Sequence, residues 1–308
     1  MKIRPWNGKP VAMPGVYSNM PLSVYHSATA AVEPSISSSG LRKIFSESPR
    51  HYFATSPYNP KRVEGDETPA LTLGRATHYL LLGEGDFRSH FAVRPEMLNG
   101  QKWHGSRLDC KGWIKQTESE GRTILTPGQA EQIKGIVKSL KDDPAVQHGC
   151  LNGNLELSWF WKDLKTGIWL KARPDANPTG DLSFVDLKLT SSTDWQALQR
   201  TIRDYGYIQQ AALVATACEE VLNRPLDSFS FMFVESTYPH DIEFVMLKEN
   251  EIVRGKQMNR ITIDRFAECL KSGKWPGRRG ERAEPKWIEL RSFDQTQIDD
   301  EIKLGASA

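Results

Sequence analysis

The stretch that decides the fold is KARPDANPTGDLSFVDLKLTSS, residues 171–192. It places Asp175 after a short apolar run and Asp186 and Lys188 in a second one, although strands usually avoid such residues. Because side chains alternate across a strand, Asp186 and Lys188 share one face of LSFVDLKLT. The turn at 177–180 can fold the chain back, so that Asp175 approaches Asp186.

Two neighbouring carboxylates repel each other unless a cation lies between them or one takes up a proton. Mg²⁺ prefers oxygen ligands and would resolve this conflict, and Lys188 could hold a water or stabilise a pentacovalent phosphate. The alternative is a surface hairpin whose charges are solvated and loosely paired. The apolar residues Val185, Leu187 and Leu189 favour a strand inside a sheet, where unpaired charges are costly.

The flanking segments predict an α/β or α+β domain built around one mixed sheet. Predicted strands are LELSWFW, GIWLKARPDA, LSFVDLKLT, FSFMFVES and DIEFVML, the first three joined by hairpin-type turns. Predicted helices are SISSSGLRKIF with its cap at Ser37–Ser39, TLGRATHYLLL ending at Gly83, and the stretches 126–147, 194–222 and 249–271. Residues 56–69 are expected to form a polar loop, residues 94–123 an irregular segment, and the end DDEIKLGASA to be frayed.

Bulk composition suits a globular protein of 308 residues with 39% apolar residues. No apolar run reaches the ~18 to 20 residues that cross a bilayer, and the start lacks a signal peptide, so a cytoplasmic address without membrane contact is expected. The four dispersed cysteines give no zinc or iron–sulfur spacing. The net charge of +2 indicates that any polyanion site is local. Predicted domains are an extended lead-in without helical period (1–35), one nuclease domain (36–290) and a tail (291–308).

A family resemblance extends this interpretation. Pro174-Asp175 followed by Asp186-Leu187-Lys188 resembles the PD-(D/E)xK nuclease motif, whose fold is a restriction-endonuclease-like core with a central mixed sheet flanked by helices. Over residues 15–290, further segments resemble the nuclease domain of RecE-type exonuclease VIII. They are PGVYSNMPLSVYH, SISSSGLRKIFSESPRHY, TLGRATHYLLLG, ELSWFW, ARPDA, VDLKLTSS and YGYIQQAALV.

The resemblance implies a metal site. Asp175 and Asp186 match the metal carboxylates, the carbonyl of Leu187 matches the backbone ligand, and Lys188 matches the catalytic lysine. His78 matches the histidine of the G-x-x-x-H helix motif and would point at the metal. Taken without the family, a histidine on an apolar helix would be a hydrogen-bonded core residue.

Two further positions follow from the resemblance. Glu156 matches an acidic position that holds a second metal directly or through water, and its alternative is a solvated strand residue. Gln210 matches the glutamine of the Q-x-x-x-Y motif, which orders the lysine or a scissile phosphate, and its alternative is an exposed helix residue. Val214 stands where the motif has tyrosine, so that contact is missing or Tyr207 supplies it.

A nuclease must also hold DNA by its phosphates. Candidate contacts, each of which could instead be an ordinary surface group, are Arg75, Arg200, Arg203, Tyr207, Lys274, Arg278, Arg279 and Arg282. Trp113, Trp195 and Trp275 could stack on an unpaired base or belong to the core.

The resemblance implies a Mg²⁺-dependent exonuclease, with Mn²⁺ as a substitute, that digests double-stranded DNA from its ends in the 5′ to 3′ direction. It would release mononucleotides and leave a 3′ single strand for a phage-type annealing recombinase. It would also form a ring-shaped homo-oligomer, with a tetramer expected, because symmetry multiplies a modest local patch.

Three alternatives remain open at this stage. The iron–sulfur nuclease branch requires a C-terminal cysteine triplet, and Cys269 stands alone there. A nuclease-derived DNA-binding scaffold without activity would have lost an acidic or lysine position, and none of the core set is lost. A metal-dependent endonuclease on the same fold has the same catalytic residues.

Overall fold

The computed structural model describes residues 1–62, 68–83, 86–178, 180–280 and 282–306. Residues 63–67 of the predicted polar loop, Thr179 of the predicted turn and residues 307–308 of the predicted frayed end lie outside the described residues. The chain divides into two compact units, Met1–Trp275 and Pro276–Ala308. No described helix is both long and apolar enough to cross a membrane.

Most strands are short. They are β1 (Ile3–Pro5), β2 (Gly15–Ser18), β3 (Ser35–Ser37), β4 (Phe91–Val93), β5 (Met97–Leu98), β6 (Gln101–Lys102), β7 (Thr123–Leu125), β8 (Asn154–Leu155), β9 (Ser158–Lys162), β10 (Trp169–Ala172), β11 (Ala176–Asn177), β12 (Ser183–Thr190), β13 (Ser228–Glu235) and β14 (Ile242–Met246). The helices are α1 (Leu22–His26), α2 (Ser38–Ser46), α3 (Pro49–Thr55), α4 (Pro69–Leu82), α5 (Phe87–His90), α6 (Leu108–Ser119), α7 (Pro127–Asp142), α8 (Pro144–Gln147), α9 (Trp195–Asp204), α10 (Tyr207–Leu222), α11 (Glu249–Ser272) and α12 (Ser292–Ala306).

The α/β fold class is confirmed, but the strands form two five-stranded mixed sheets instead of one, together with two small two-stranded sheets, β4-β7 and β5-β6. The first has the order β1-β2-β9-β10-β3 and the second the order β14-β13-β12-β11-β8. In the second sheet β12 runs parallel to β13 and antiparallel to β11. Strand β12 therefore lies inside a sheet, as its apolar flank predicted.

The two faces of β12 pack against different helices. Leu182 and Phe184 belong to the core cluster that includes the buried face of α10, whereas Val185 and Leu187 pack with residues of α7 such as Ile136. Burial on both faces explains the nearly continuous apolar sequence of β12 and β13. It also means that Asp186 and Lys188 enter an interior position.

Helix α10 is buried along most of its length and packs against α11. The close approach occurs at Gly255, where a Cβ would lie 2.2 Å from the carbonyl oxygen of Ile208. The predicted helix over 194–222 is in fact two helices, because Gly206 adopts the left-handed region with φ 64° and begins α10 anew. This break orients α10 independently of α9.

Three other segments differ from the sequence predictions. The N-terminal 35 residues contain β1, β2 and α1, and β2 pairs with β9, so they are not an extended lead-in. The segment 94–123 contains α6, whose polar sequence shows little helical periodicity. Residues of the tail form α12, where a frayed end was expected. The predicted domain boundaries at 35 and 290 stay predictions.

Candidate active site

Two short crossings, from β8 to β9 and from β10 to β11, connect the two five-stranded sheets, and each crossing carries a carboxylate. Strand β8 belongs to the second sheet and β9 to the first, so Glu156 lies on one crossing. The return crossing from β10 to β11 contains Arg173, Pro174 and Asp175. The amide of Glu156 donates to the carbonyl of Asp175 at 3.0 Å, which ties the two crossings together.

Glu156 has an unusual backbone. Its φ of 51° lies in the left-handed region, which costs a non-glycine residue about 1 to 3 kcal/mol and occurs preferentially at functional sites. The Nε of Arg173 donates to Glu156 Oε2 at 2.7 Å, and both side chains are largely buried. The predicted alternative of a solvated strand glutamate therefore does not describe this residue.

His78 reaches the crossings from α4. Thr68 caps the start of this helix and Gly83 ends it in the left-handed conformation, as predicted. His78 Nδ1 lies 3.4 Å from Asp175 Oδ2. Ligand atoms of His78, Glu156 and Asp175 lie within 4.8 Å of one another. One imidazole and two carboxylates form a donor set that suits a divalent ion such as Mn²⁺ or Mg²⁺.

Asp186 contacts the lysine and the glutamine of the predicted site. Its side chain is fully buried, forms an ion pair with Lys188 and accepts a hydrogen bond from Gln210 Nε2. It lies outside the group of three ligands. The amide of Leu187 donates to Asp175 Oδ2 at 2.8 Å and so holds the other carboxylate. Metal ligation by Asp186 and by the Leu187 carbonyl stays a prediction.

The electrostatics of this cluster favour a bound cation. Burial, followed by the charge of Asp186, raises the pKa of Asp175 to about 6, against the opposing effects of His78 and Lys188. Burial alone would lower the pKa of Lys188, but Asp186 and Asp175 outweigh it and raise that pKa. A divalent ion beside Asp175 would reverse the first shift, because it stabilises the ionised carboxylate.

Tyr207 contacts Lys188 through its ring. Lys188 Nζ lies 5.3 Å and Arg42 Cζ 5.6 Å from the ring centroid, so two cations face one aromatic group. Val214 is buried and has no polar group on its side chain. It lines a cavity that Lys188 also lines. Tyr207 thus contacts Lys188 by a cation–π interaction, and whether it replaces the tyrosine of the motif stays a prediction.

Several of these residues line one cavity of about 310 Å³, whereas Asp186, Leu187 and Tyr207 are not among the described residues that line it. It brings together His78, Glu156, Asp175, Lys188, Gln210 and Arg75 from the predicted site. It also contains hydroxyls, two guanidinium groups and an imidazole that the sequence analysis did not assign to the site: Ser37, Ser38, Ser39, Arg42, Arg173 and His26. Arg173 could have been noticed because it directly precedes Pro174-Asp175. No sequence feature marked Arg42 as a site residue, because a basic residue in an amphipathic helix is ordinarily exposed.

The predicted DNA contacts divide into several groups. Arg75 lines the cavity and donates to Thr123 Oγ1 at 2.6 Å. Arg200 is exposed on α9 outside the residues that line the cavity, and Arg203 pairs there with Asp204 at 2.8 Å. In the second unit, Arg279 Nε donates to the carbonyl of Arg282 at 2.6 Å.

The remaining predicted contacts include two exposed groups in the first unit, Lys274 and the 62% exposed Trp195, and an exposed arginine in the second unit, Arg278. Trp113 is half-buried and packs edge-on against Trp103 at 5.5 Å. Trp275 stacks on Phe53 at 4.6 Å and packs on the core, which favours the core alternative over base stacking.

Comparison with known proteins places this site in a family. Residues 37–284 match the family described as a PDDEXK-like domain of unknown function, DUF3799. The chain belongs to this family. All the residues of the cavity except Leu22, Tyr25 and His26 lie within the matched range of the PDDEXK-like domain.

A solved structure shares the fold. It is a crystal structure from Eubacterium rectale described as a "putative exonuclease", with a TM-score of 0.55 and 14% sequence identity. The match covers 84% of this chain and 92% of that one. A comparison with curated proteins gives no match. The PDDEXK-like family and this shared fold support a nuclease of the PD-(D/E)xK superfamily.

Proposed function

We propose that this PDDEXK-like domain is a divalent-metal-dependent exonuclease of RecE type, acting on the ends of double-stranded DNA. The observation that carries the proposal is the convergence of His78, Glu156 and Asp175 on one cavity that also contains Lys188. Three metal-binding side chains beside an amine are the groups that phosphodiester hydrolysis requires.

In the proposed chemistry, His78, Glu156 and Asp175 would hold the ion. When bound, the metal supplies Lewis-acid stabilisation of the charge that develops on the phosphate. Lys188 orients the attacking water, and its own position is fixed by Asp186 and by the ring of Tyr207. Gln210 holds Asp186 in place through its amide. Arg42 and Arg75, which line the same cavity, are suited to contact phosphate oxygens.

The finer features belong to the same proposal. They are digestion in the 5′ to 3′ direction, release of mononucleotides, a 3′ single strand passed to an annealing recombinase, and a ring-shaped tetramer. They are supported by the sequence segments that resemble RecE-type nucleases. Mg²⁺ is the proposed ion, with Mn²⁺ as the substitute that accepts imidazole more readily.

The substrate experiment compares linear duplex DNA with covalently closed circular duplex of the same sequence, each with Mg²⁺, with Mn²⁺ and with a chelator. We expect degradation of the linear form to acid-soluble nucleotides and no cleavage of the circle. Cutting of the circle would replace the exonuclease with an endonuclease. If neither DNA is degraded with either ion, the inactive DNA-binding scaffold becomes the better description.

A further inference from the structure

A second polar pocket adjoins the candidate active site. It has a volume of about 300 Å³ and shares His26, Ser37 and Ser39 with the catalytic cavity. Three cationic side chains line it: Lys43 from α2, Arg62, and Lys171 from β10. Among the described residues that line the pocket none is a carboxylate. This composition distinguishes it from the catalytic cavity, where Glu156 and Asp175 balance the cations.

Lys171 is the unusual group of this pocket. It is only 3% exposed, and its ammonium donates to the main-chain carbonyls of Tyr25 and Ser27 while lying 5.2 Å from the Tyr25 ring centroid. Burial lowers the pKa of Lys171 to about 7, and no acidic group opposes that shift. A buried charge is costly unless it is paired and hydrogen-bonded, and a bound anion would supply the counter-charge that Lys171 lacks among the described residues that line the pocket.

The rest of the wall supplies donors for an anion. Hydroxyl-bearing residues line the pocket at Ser35, Ser37, Ser39, Tyr52, Thr55 and Ser56. Ser35 is 3% exposed, and its Oγ is buried without a hydrogen-bond partner. Burial and the charges of Lys171 and Arg173 lower the pKa of His26 to about 4, so the imidazole is a neutral neighbour in a positive field. Hydroxyls, an ammonium and a guanidinium together match the oxygens of a phosphate group.

We propose that this pocket binds a phosphate group of the DNA strand next to the one that is cleaved, with Lys171 as its buried charge. The shared wall of Ser37 and Ser39 makes the two sites continuous, as neighbouring phosphates of one strand require. The inference rests on the proposed function only for the source of the phosphate. The recognised group is either an internal phosphodiester or a phosphate monoester at the strand end.

The first test measures binding of inorganic phosphate to the full chain by calorimetry, with a chelator present. The variants are Lys171→Met, Lys43→Gln and, as a charge-matched control, Lys134→Gln, whose side chain is 71% exposed and pairs with Glu131. We expect Lys171→Met to weaken binding by about tenfold or more, the loss of one charge-assisted hydrogen bond, and the control to match wild type. Lys43→Gln should weaken binding too. Because Lys43 is less buried than Lys171, this variant still tests the pocket if Lys171→Met fails to fold.

Equal phosphate affinity in wild type and in both pocket variants would overturn the proposal. So would loss of binding in Lys188→Met alone, because the phosphate would then occupy the catalytic cavity. These readouts need no nuclease activity. A pocket that binds phosphate in a protein that degrades no DNA would therefore refute the proposed function and leave the phosphate site standing.

The second test uses linear duplexes whose ends carry either phosphate or hydroxyl groups. In Lys171→Met we expect KM to rise by about tenfold while kcat changes much less, because the pocket binds the strand without touching the reacting atoms. A rise in KM on both substrates assigns the pocket to an internal phosphodiester. A rise confined to phosphorylated ends assigns it to the terminal monoester, and an unchanged KM on both contradicts a role in DNA binding.

Discussion

The two sheets each contain a buried lysine, and the two lysines have opposite surroundings. Lys188 of β12 forms an ion pair with Asp186, and the nearby carboxylates raise its pKa. Lys171 of β10 donates to two carbonyl oxygens and lies beside an aromatic ring, and burial lowers its pKa to about 7. Burial alone therefore does not decide the state of a lysine. One amine is held charged by the protein, and the other lacks an acidic partner among the described residues that line its pocket.

The largest expected difference between the two lysines is catalytic. Lys188→Met should lower kcat by about a hundredfold to a thousandfold, because it removes a preorganised charge beside the scissile phosphate. Lys171→Met should leave most of kcat. Single-turnover hydrolysis of linear duplex measures both, and circular dichroism checks that the variants are folded. A similar loss of kcat in the two variants would show that Lys188 and Lys171 do not differ in their contribution to catalysis.

The next difference concerns stability. Asp186→Asn leaves Lys188 without its buried partner, and we expect the free energy of unfolding to fall by about 3 kcal/mol. The double variant Asp186→Asn/Lys188→Met should recover a large part of that loss, because no buried charge remains unpaired. Urea unfolding of the two single variants and the double variant measures the coupling. Additive losses would show that the ion pair contributes nothing specific.

The pH dependence should separate the lysines further. Because the pKa of Lys171 is lower in the folded chain than in the unfolded chain, the unfolded chain binds more protons between about pH 7 and pH 10. Wild-type stability should therefore rise with pH in this window relative to Lys171→Met, by about 1.4 kcal/mol per pH unit at most. Urea unfolding of both proteins from pH 7 to pH 10 measures the difference, and a constant difference would contradict the assigned environment of Lys171.

The smallest effect is expected at Tyr207, whose ring faces Lys188 and Arg42. Tyr207→Leu should reduce kcat by roughly fivefold, the value of an interior cation–π contact. Tyr207→Phe keeps the ring and serves as the matched variant, which we expect to retain activity. Steady-state kinetics compares the two. An equal loss in Tyr207→Phe and Tyr207→Leu would assign the role to the hydroxyl instead of the ring.

The local pattern predicted much of the second sheet, including strand β12. Apolar residues on both sides of Asp186 and Lys188 indicated an interior strand, and the helix that carries His78 has the predicted caps. The convergence of His78 with Asp175 was available only through the family resemblance, since no local pattern relates residues so far apart in the chain. The spacing of residues along a sequence predicts the face of a helix or strand on which a side chain lies. It does not predict which distant helix or strand that side chain contacts.

Other features were hidden for identifiable reasons. The strands around Pro174 looked like successive hairpins, because alternation of side chains is the same whether the next strand joins one sheet or another. The left-handed backbone of Glu156 has no sequence signal, since glutamate is not a residue that favours it. Lys171 lies in an apolar run, where a lysine is ordinarily read as a solvent-facing group.

The placement of Glu156 and Asp175 on the two passages between the sheets has a mechanical consequence. An ion bound by both carboxylates would cross-link the two connections. It would thereby fix the angle between the two five-stranded sheets. Metal binding would then make the first unit more rigid and would also complete the proposed active site. Conversely, bound DNA that changed the angle between the sheets would change the affinity of the site for the ion.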